Sequence, residues 1–499
     1  MKISKFLLNR DEQVLVKVSK EILTLYHIAV AEDGEATDYQ SFDLRHDIFD
    51  EEKAVVHTEL SIVYNDGAVQ RVECTTQGRP DEAPRAEVHR LVKMNFYQLL
   101  HRLLELPPAP WGILHGVRPT KIVHRYIEKG LEREAIIERL GADFEVSHEK
   151  AELITELAYY QRPFLAQTTP CTVSAYVGIP FCLSRCLYCS FPANVLPPTK
   201  ELDRFMAVFQ RDLDAVKRAV ETYGLTVQNL YIGGGTPTSL PDDYFEDMME
   251  RVTSALYHPG IKEFTVEAGR PDSMSPAKIA SMVKHKVDRV SVNPQTMQQR
   301  TLKRIGRQHT PEEILTMYHD LREAGIPSIN MDLIVGLPGE GPADMRDTID
   351  KVLALGPEDV TLHALALKRG SLLKLQLDET ELPDDATVQE MFDIALSAVK
   401  ASGRHPYYLY RQGYQSGQME NIGCCVPGGE SLYNIQIMEE HQTILGIGGA
   451  ATSKIVNPKT NRMHTSFNAK ELTVYLDRVD TYIEKRDALL KEAYGDEEE

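Results

Sequence analysis

No stretch of the chain approaches the about 18 consecutive apolar residues that a membrane-crossing helix needs. The opening run MKISKFLLNRDEQ meets charge too early for a secretory leader. A membrane span and export are therefore not expected, and a cytoplasmic protein is. Basic charge is also short: 55 Lys and Arg stand against 74 Asp and Glu, a formal net charge of −19. Such a balance repels nucleic acid phosphates and anionic lipid unless a local basic patch intervenes, so neither is an expected partner. Cysteine is scarce and uneven. Of seven in the chain, three crowd into residues 182–189, which excludes the evenly spread, even-numbered framework of a secreted disulfide scaffold and points to a reducing compartment and a metal site.

What is present is an ordinary folded composition, 42% hydrophobic and 26% charged. A chain of 499 residues predicts two or three domains. Residues 1–165 read as an α+β domain, with β-like runs QVLVKVS and SIVYNDGAVQRVEC, the latter folding back at Asn65-Asp66-Gly67, followed by helical patterns. Within it Arg85, Arg90, Lys93, Arg102, Arg118, Lys121 and Arg125 face only Glu87 and Glu105. This island of opposite sign is either a set of solvated helix faces or a surface for an acidic ligand.

From about residue 170 the pattern changes. The runs TVSAYVGIPF, QNLYIGG, EFTVEAG, DRVSVN, SINMDLIVG and DVTLHALAL are each followed by a helix-length segment. In the first of these Phe205, Phe209, Leu213, Val216 and Val220 recur at the helical period. Six serial strand–helix units predict an α/β domain, a partial parallel (β/α)6 barrel over residues 166–403, with its chemistry in the loops at the carboxyl ends of the strands. Residues 404–499, containing PYYLYRQGY, Cys424-Cys425 and GIGGAATSK, read as a small C-terminal lid or accessory domain. The tail GDEEE is expected to be disordered.

The segment IPFCLSRCLYCSF sets thiols at spacings of four and three on the loop after the first barrel strand. One loop then wraps one inorganic cluster: three thiolates bind three irons, and the fourth iron is left open to a small molecule. Zinc is the alternative, but no fourth Cys or His follows at zinc-finger spacing. After the second strand, GGGTPT brings backbone close to whatever lies at the strand ends.

This CxxxCxxC spacing behind a strand resembles the radical S-adenosylmethionine (SAM) superfamily. The surrounding YVGIPFC resembles the oxygen-independent coproporphyrinogen III dehydrogenase (oxidase) family over about residues 170 to 455, and the N-terminal domain with HGVRPTK is most similar to its HemZ-type branch. The resemblance implies a 4Fe-4S cluster on Cys182, Cys186 and Cys189, with Tyr188 packed on the cluster side and Tyr176 as the strand tyrosine before IPFC. It assigns to SAM the backbone of Gly233, Gly234 and Gly235, the hydroxyl of Thr236, and the side chains of Glu267, Gln295, Arg307 and Asp332. Arg307 suits the cofactor carboxylate, and Gln295 and Asp332 suit ribose hydroxyls. The implied reaction is one-electron reduction of the cluster by a donor such as flavodoxin or ferredoxin and cleavage of SAM to a 5′-deoxyadenosyl radical. Hydrogen abstraction from a propionate of the tetrapyrrole coproporphyrinogen III then leads to loss of carbon dioxide and a vinyl group, in haem biosynthesis.

Two departures bear on substrate. Phe191 stands where the established dehydrogenases carry a further cysteine, CxxxCxxCxC. The related haem chaperones also lack that cysteine, but their lid motif HNxxYW would read Tyr433-Asn434-Ile435-Gln436-Ile437-Met438 here, with only the asparagine kept. Other tetrapyrrole chemistry, haem transfer using Cys424-Cys425 and His441, and RNA modification through the basic island are the alternative readings.

Overall fold

Side chains alternating inward along extended runs build the first sheet. The computed structural model describes residues 1–495 apart from Asp33, Pro192 and the segments 367–370, 376–381 and 413–415. It divides into two units, Met1–Glu156 and Leu157–Glu499. In the first unit, strands β1 (Lys2–Leu8), β2 (Ala29–Val30), β3 (Tyr39–Asp50), β4 (Val55–Tyr64) and β5 (Val69–Gln77) lie in the order β2-β1-β3-β4-β5. The expected hairpin at Asn65-Asp66-Gly67 joins β4 to β5. QVLVKVS, expected to be extended, instead begins the helix Gln13–Leu25. Leu15, Ser19, Ile22 and Leu23 are its buried residues, and this helical face, continued through SKEILTL, outweighs a short alternation. Three cations of the basic island are matched inside the unit: Arg90 with Glu87 at 2.6 Å, Lys93 with Glu21 at 2.7 Å and Arg125 with Glu82 at 3.4 Å.

The second unit is built on β6 (Thr172–Ile179), β7 (Phe181–Cys182), β8 (Asn194–Val195), β9 (Thr226–Gly234), β10 (Glu263–Gly269), β11 (Arg289–Gln295), β12 (Ser328–Val335) and β13 (Asp359–Ala364). It continues with β14 (His405–Tyr410), β15 (Asn421–Cys425), β16 (Thr443–Gly448), β17 (Thr452–Val456) and β18 (Met463–Phe467). Strands β6, β9, β10, β11, β12 and β13 are successive parallel neighbours, the expected six. Helices intervene, and in Thr199–Thr222 the side chains of Phe205, Phe209, Leu213 and Val216 are fully buried, each worth about 1.5–3 kcal/mol.

The segment after residue 404 does not stand apart from this sheet. β16 pairs in parallel with β6 and leads to β17 and β18, while β15 runs antiparallel beside β13 and carries β14, giving eleven strands in one sheet. The physical reason is burial: every residue of TILGIG in β16 is buried, as a strand covered on both faces requires. Residues 496–499, the acidic end of the tail expected to be disordered, lie outside the described residues.

Candidate active site

Beyond β6, Pro180 leads into β7, which pairs with β8, so the cysteine-bearing loop that starts at Cys182 is anchored by this pairing. Cys182, Cys186 and Cys189 from this loop all line one cavity of about 610 Å³ at the carboxyl ends of the parallel strands. The loop is held from outside. The Leu187 amide donates to the Ile305 carbonyl at 3.0 Å, and Arg270, only 3% exposed, donates to the Ser184 carbonyl at 3.0 Å and to its Oγ at 2.9 Å. The same guanidinium donates to Asp272 at 2.9 Å and lies 3.9 Å from Cys186 Sγ. Burial pushes the Cys182 and Cys189 thiols above their usual range. A metal bound there would carry the charge opposite to the thiolates that hold it.

The glycine run fits closely under this loop. Gly234 has φ +115°, and a Cβ on Gly235 would sit 2.4 Å from the Phe181 carbonyl oxygen. Thr236 brings its hydroxyl to 3.5 Å from Cys182 Sγ.

Farther along the strand ends, the Tyr231 hydroxyl donates to Glu267 at 2.6 Å. Burial pushes the Glu267 carboxyl up to about 7, with Asp332 acting in the same direction and Tyr231 against it. Arg307 donates to the Asn293 carbonyl at 2.9 Å and the Tyr188 hydroxyl at 3.0 Å. Its Nε is buried without a partner, and so is Gln295 Oε1, on a residue with φ +67°. Buried polar atoms are rarely left unpaired, so these two mark where a polar ligand belongs. Asp332 accepts from Asn330 at 2.8 Å and lies 3.7 Å from His363.

Tyr176, Cys182, Cys186, Tyr188, Cys189, Gly234, Gly235, Thr236, Glu267, Gln295, Arg307 and Asp332 thus line one cavity, whereas Gly233 does not. Gly233 lies behind it, where a Cβ would press to 2.8 Å on the Glu267 carboxyl carbon. Cys424 and Cys425 are fully buried on β15 and do not line the cavity, nor does His441. Of the lid motif, Asn434 and Met438 reach it from the helix Leu432–Glu439.

Sequence reading missed Arg270, Ser291, Asn293 and Asn330 on the cavity wall. A signal was present: Ser291 with Asn293 and Asn330 with Asp332 are polar pairs two residues apart inside apolar strands, the period that puts both on one face. The ring stack in which Tyr231 lies 4.3 Å from Tyr433 and 6.0 Å from Tyr176 had no such signal.

The sequence profile of the Radical SAM superfamily matches residues 176–352. The oxygen-independent coproporphyrinogen-III oxidase-like protein HemZ of Bacillus subtilis is 37% identical over 77% of this chain and 77% of its own. The chain belongs to the radical SAM superfamily, in the HemZ-like family. Heme chaperone HemW of the same organism is 30% identical over 47% of this chain and 62% of its own. The solved radical SAM enzyme coproporphyrinogen III oxidase (HemN) from Escherichia coli superposes with a TM-score of 0.52 at 23% identity, covering 65% of this chain and 72% of that one, a likeness of fold. Superfamily membership implies a 4Fe-4S cluster and SAM as cofactors. The residues present fit both: three thiols on one loop for the cluster, and buried unpaired donor and acceptor atoms beside them for a polar cofactor. Among the described residues no helix is long and apolar enough to cross a membrane.

Proposed function

We propose that the chain is an oxygen-independent coproporphyrinogen III dehydrogenase, converting propionates of that tetrapyrrole to vinyl groups toward protoporphyrinogen IX. The observation that carries the reading is the convergence of the Cys182 loop, Arg307 and the orphaned Gln295 in one cavity, in a chain whose relative is named oxidase-like.

In this reading Cys182, Cys186 and Cys189 hold the cluster and leave one iron to SAM. When bound, the reduced cluster and SAM supply a radical that takes one hydrogen atom from the substrate. The substrate then loses carbon dioxide and gives one electron to an acceptor, so a propionate becomes a vinyl group. Arg307 meets the SAM carboxylate, Gln295 and Asp332 meet its ribose, and the Gly234–Gly235 backbone and Thr236 border its methionine end, with Gly233 behind them. Glu267, its carboxyl pushed up to about 7 by burial, faces the cofactor from the end of β10. Tyr176, Tyr231 and Tyr433 form an aromatic wall that excludes water. A flavodoxin or ferredoxin supplies the reducing electron.

A haem chaperone is the second reading, favoured by the HemW relative and by Phe191, 65% exposed at the cavity where the dehydrogenase motif has its last cysteine. Anaerobic incubation of cluster-loaded protein with SAM, reductant, an electron acceptor and coproporphyrinogen III separates them. Vinyl-bearing porphyrinogen and 5′-deoxyadenosine are expected. Tight haem binding with neither product would establish the chaperone instead, and a methylated or ring-opened tetrapyrrole would move the chain to other radical chemistry.

A further inference from the structure

The flank of the sheet formed by β14 and β15 carries a cluster of side chains that the cavity does not use. His405 and Cys425 are direct partners across the antiparallel pair, so their side chains stand together on one face. Glu430 returns to the same spot through the turn after β15. Its carboxylate accepts from the Gly428 amide at 3.2 Å and from the Tyr160 hydroxyl, and the Tyr160 ring packs edge-on against His405 at 4.6 Å. One nitrogen, one sulfur and one carboxylate oxygen lie within 4.8 Å of one another.

We propose that His405, Cys425 and Glu430 form a binding site for a divalent transition metal of zinc type, separate from the Cys182 loop. A thiolate, an imidazole and a carboxylate are the donor set of three-ligand zinc sites whose fourth position is open. Ligand atoms around zinc lie about 3.5 Å apart, and His405 Nε2 is already 3.5 Å from Glu430 Oε1. That nitrogen is buried and has no hydrogen-bond partner, and a metal ion gives it one. Charge agrees as well. A thiolate and a carboxylate cancel the ion's two positive charges, and the Glu430 side chain is only 6% exposed, where a carboxylate gains from a neighbouring cation.

A nucleophilic role for Cys425 is excluded by its complete burial, whereas a small ion reaches the site past the His405 edge, 30% exposed. The ion would clamp the start of β14 to the turn after β15. β14 also carries Tyr408 and Tyr410 to the cavity wall, so the clamp fixes the base of an element whose other residues face substrate.

The test is metal analysis on the full-length, cluster-loaded chain, incubated anaerobically with zinc and freed of loose metal by a chelating column. One zinc per chain is expected beside the cluster iron, and its X-ray absorption should show a single sulfur among lighter ligands. Cys425→Ser and His405→Gln should each weaken zinc retention by roughly tenfold or more with iron content unchanged. Absence of retained zinc in the wild-type chain overturns the proposal. So does a three-sulfur zinc signature, which would put the ion on the Cys182 loop, and so does full retention in both variants. The absorption measurement needs no variant, so it decides the matter even where a substitution fails to fold.

Discussion

Arg307 is 6% exposed, yet among the hydrogen bonds it makes in the protein none uses Nε. A buried guanidinium with a donor to spare is placed for an anionic partner. Arg307→Ala should leave iron and sulfide content intact while weakening SAM binding by about 1.5–3 kcal/mol, read by anaerobic calorimetry. Unchanged affinity in a cluster-loaded variant would remove Arg307 from the site. Glu267 makes a prediction in pH. Its folded carboxyl titrates near 7, above the usual value, so the folded state holds a proton that the unfolded chain has already lost. This contribution therefore costs nothing below the unfolded value of 4.5 and destabilises progressively as pH rises through the window to about 7. Glu267→Gln removes the term. Its stability relative to the wild type, measured by denaturant unfolding of cofactor-free protein, should rise across that window by at most about 1.4 kcal/mol per pH unit. A pH-independent difference would contradict the buried-carboxyl account.

Elements rather than single groups decide how the cysteine loop is presented. β7 lies so near the glycine run that the Gly235 and Thr236 amides donate to the Ile179 and Phe181 carbonyls at 2.9 and 2.7 Å. Gly235→Ala forces a methyl against that backbone. It should cost about 1–3 kcal/mol and lower cluster loading through displacement of Cys182, seen as reduced iron content with the three thiols intact. The last helix, Leu472–Tyr494, is tied to Thr199–Thr222 by a buried hub. Asp212 accepts from Arg486 at 2.8 Å, from Tyr475 at 3.1 Å, from Asn468 at 3.0 Å and from the Gly448 amide at the end of β16 at 2.8 Å. Asp212→Ala leaves the Arg486 charge, 2% exposed, without its partner, and a loss of about 3–5 kcal/mol is expected in thermal or denaturant unfolding. A near-neutral effect would mean that the hub does not hold β16 beside β6.

At the scale of the molecule, the site lies entirely within the unit from Leu157 onward, and that unit begins earlier than the sequence suggests. Gln161 donates to the Tyr407 carbonyl at 3.1 Å, and Leu165 packs with Tyr407, Tyr408, Cys425 and Ile435. A chain beginning at residue 166 should therefore be less stable than one beginning at residue 157, by at least about 2–5 kcal/mol, the cost of emptying such contacts. Equal melting temperatures and equal cluster loading would show these residues to be dispensable.

Sequence alone determined the six parallel strands, because apolar runs followed by helical segments have few other ways to bury both faces of each strand. It also determined the cysteine loop, since ligand spacing within one loop is a local property. Polar residues at successive strand ends were legible for the same reason: strand order follows chain order, so neighbours in sequence pattern are neighbours in the barrel. Only the tertiary structure decided the rest. β16, a glycine-bearing run more than 260 residues after β6, becomes its neighbour through non-local pairing that no short-range pattern encodes. Arg270 meets Ser184 across 86 residues of chain, and His405 meets Cys425 across a strand pairing that neither residue's local pattern signals. The start of the helix at Gln13 was misread because seven alternating residues fit both periods, and packing against the first sheet's core chose between them.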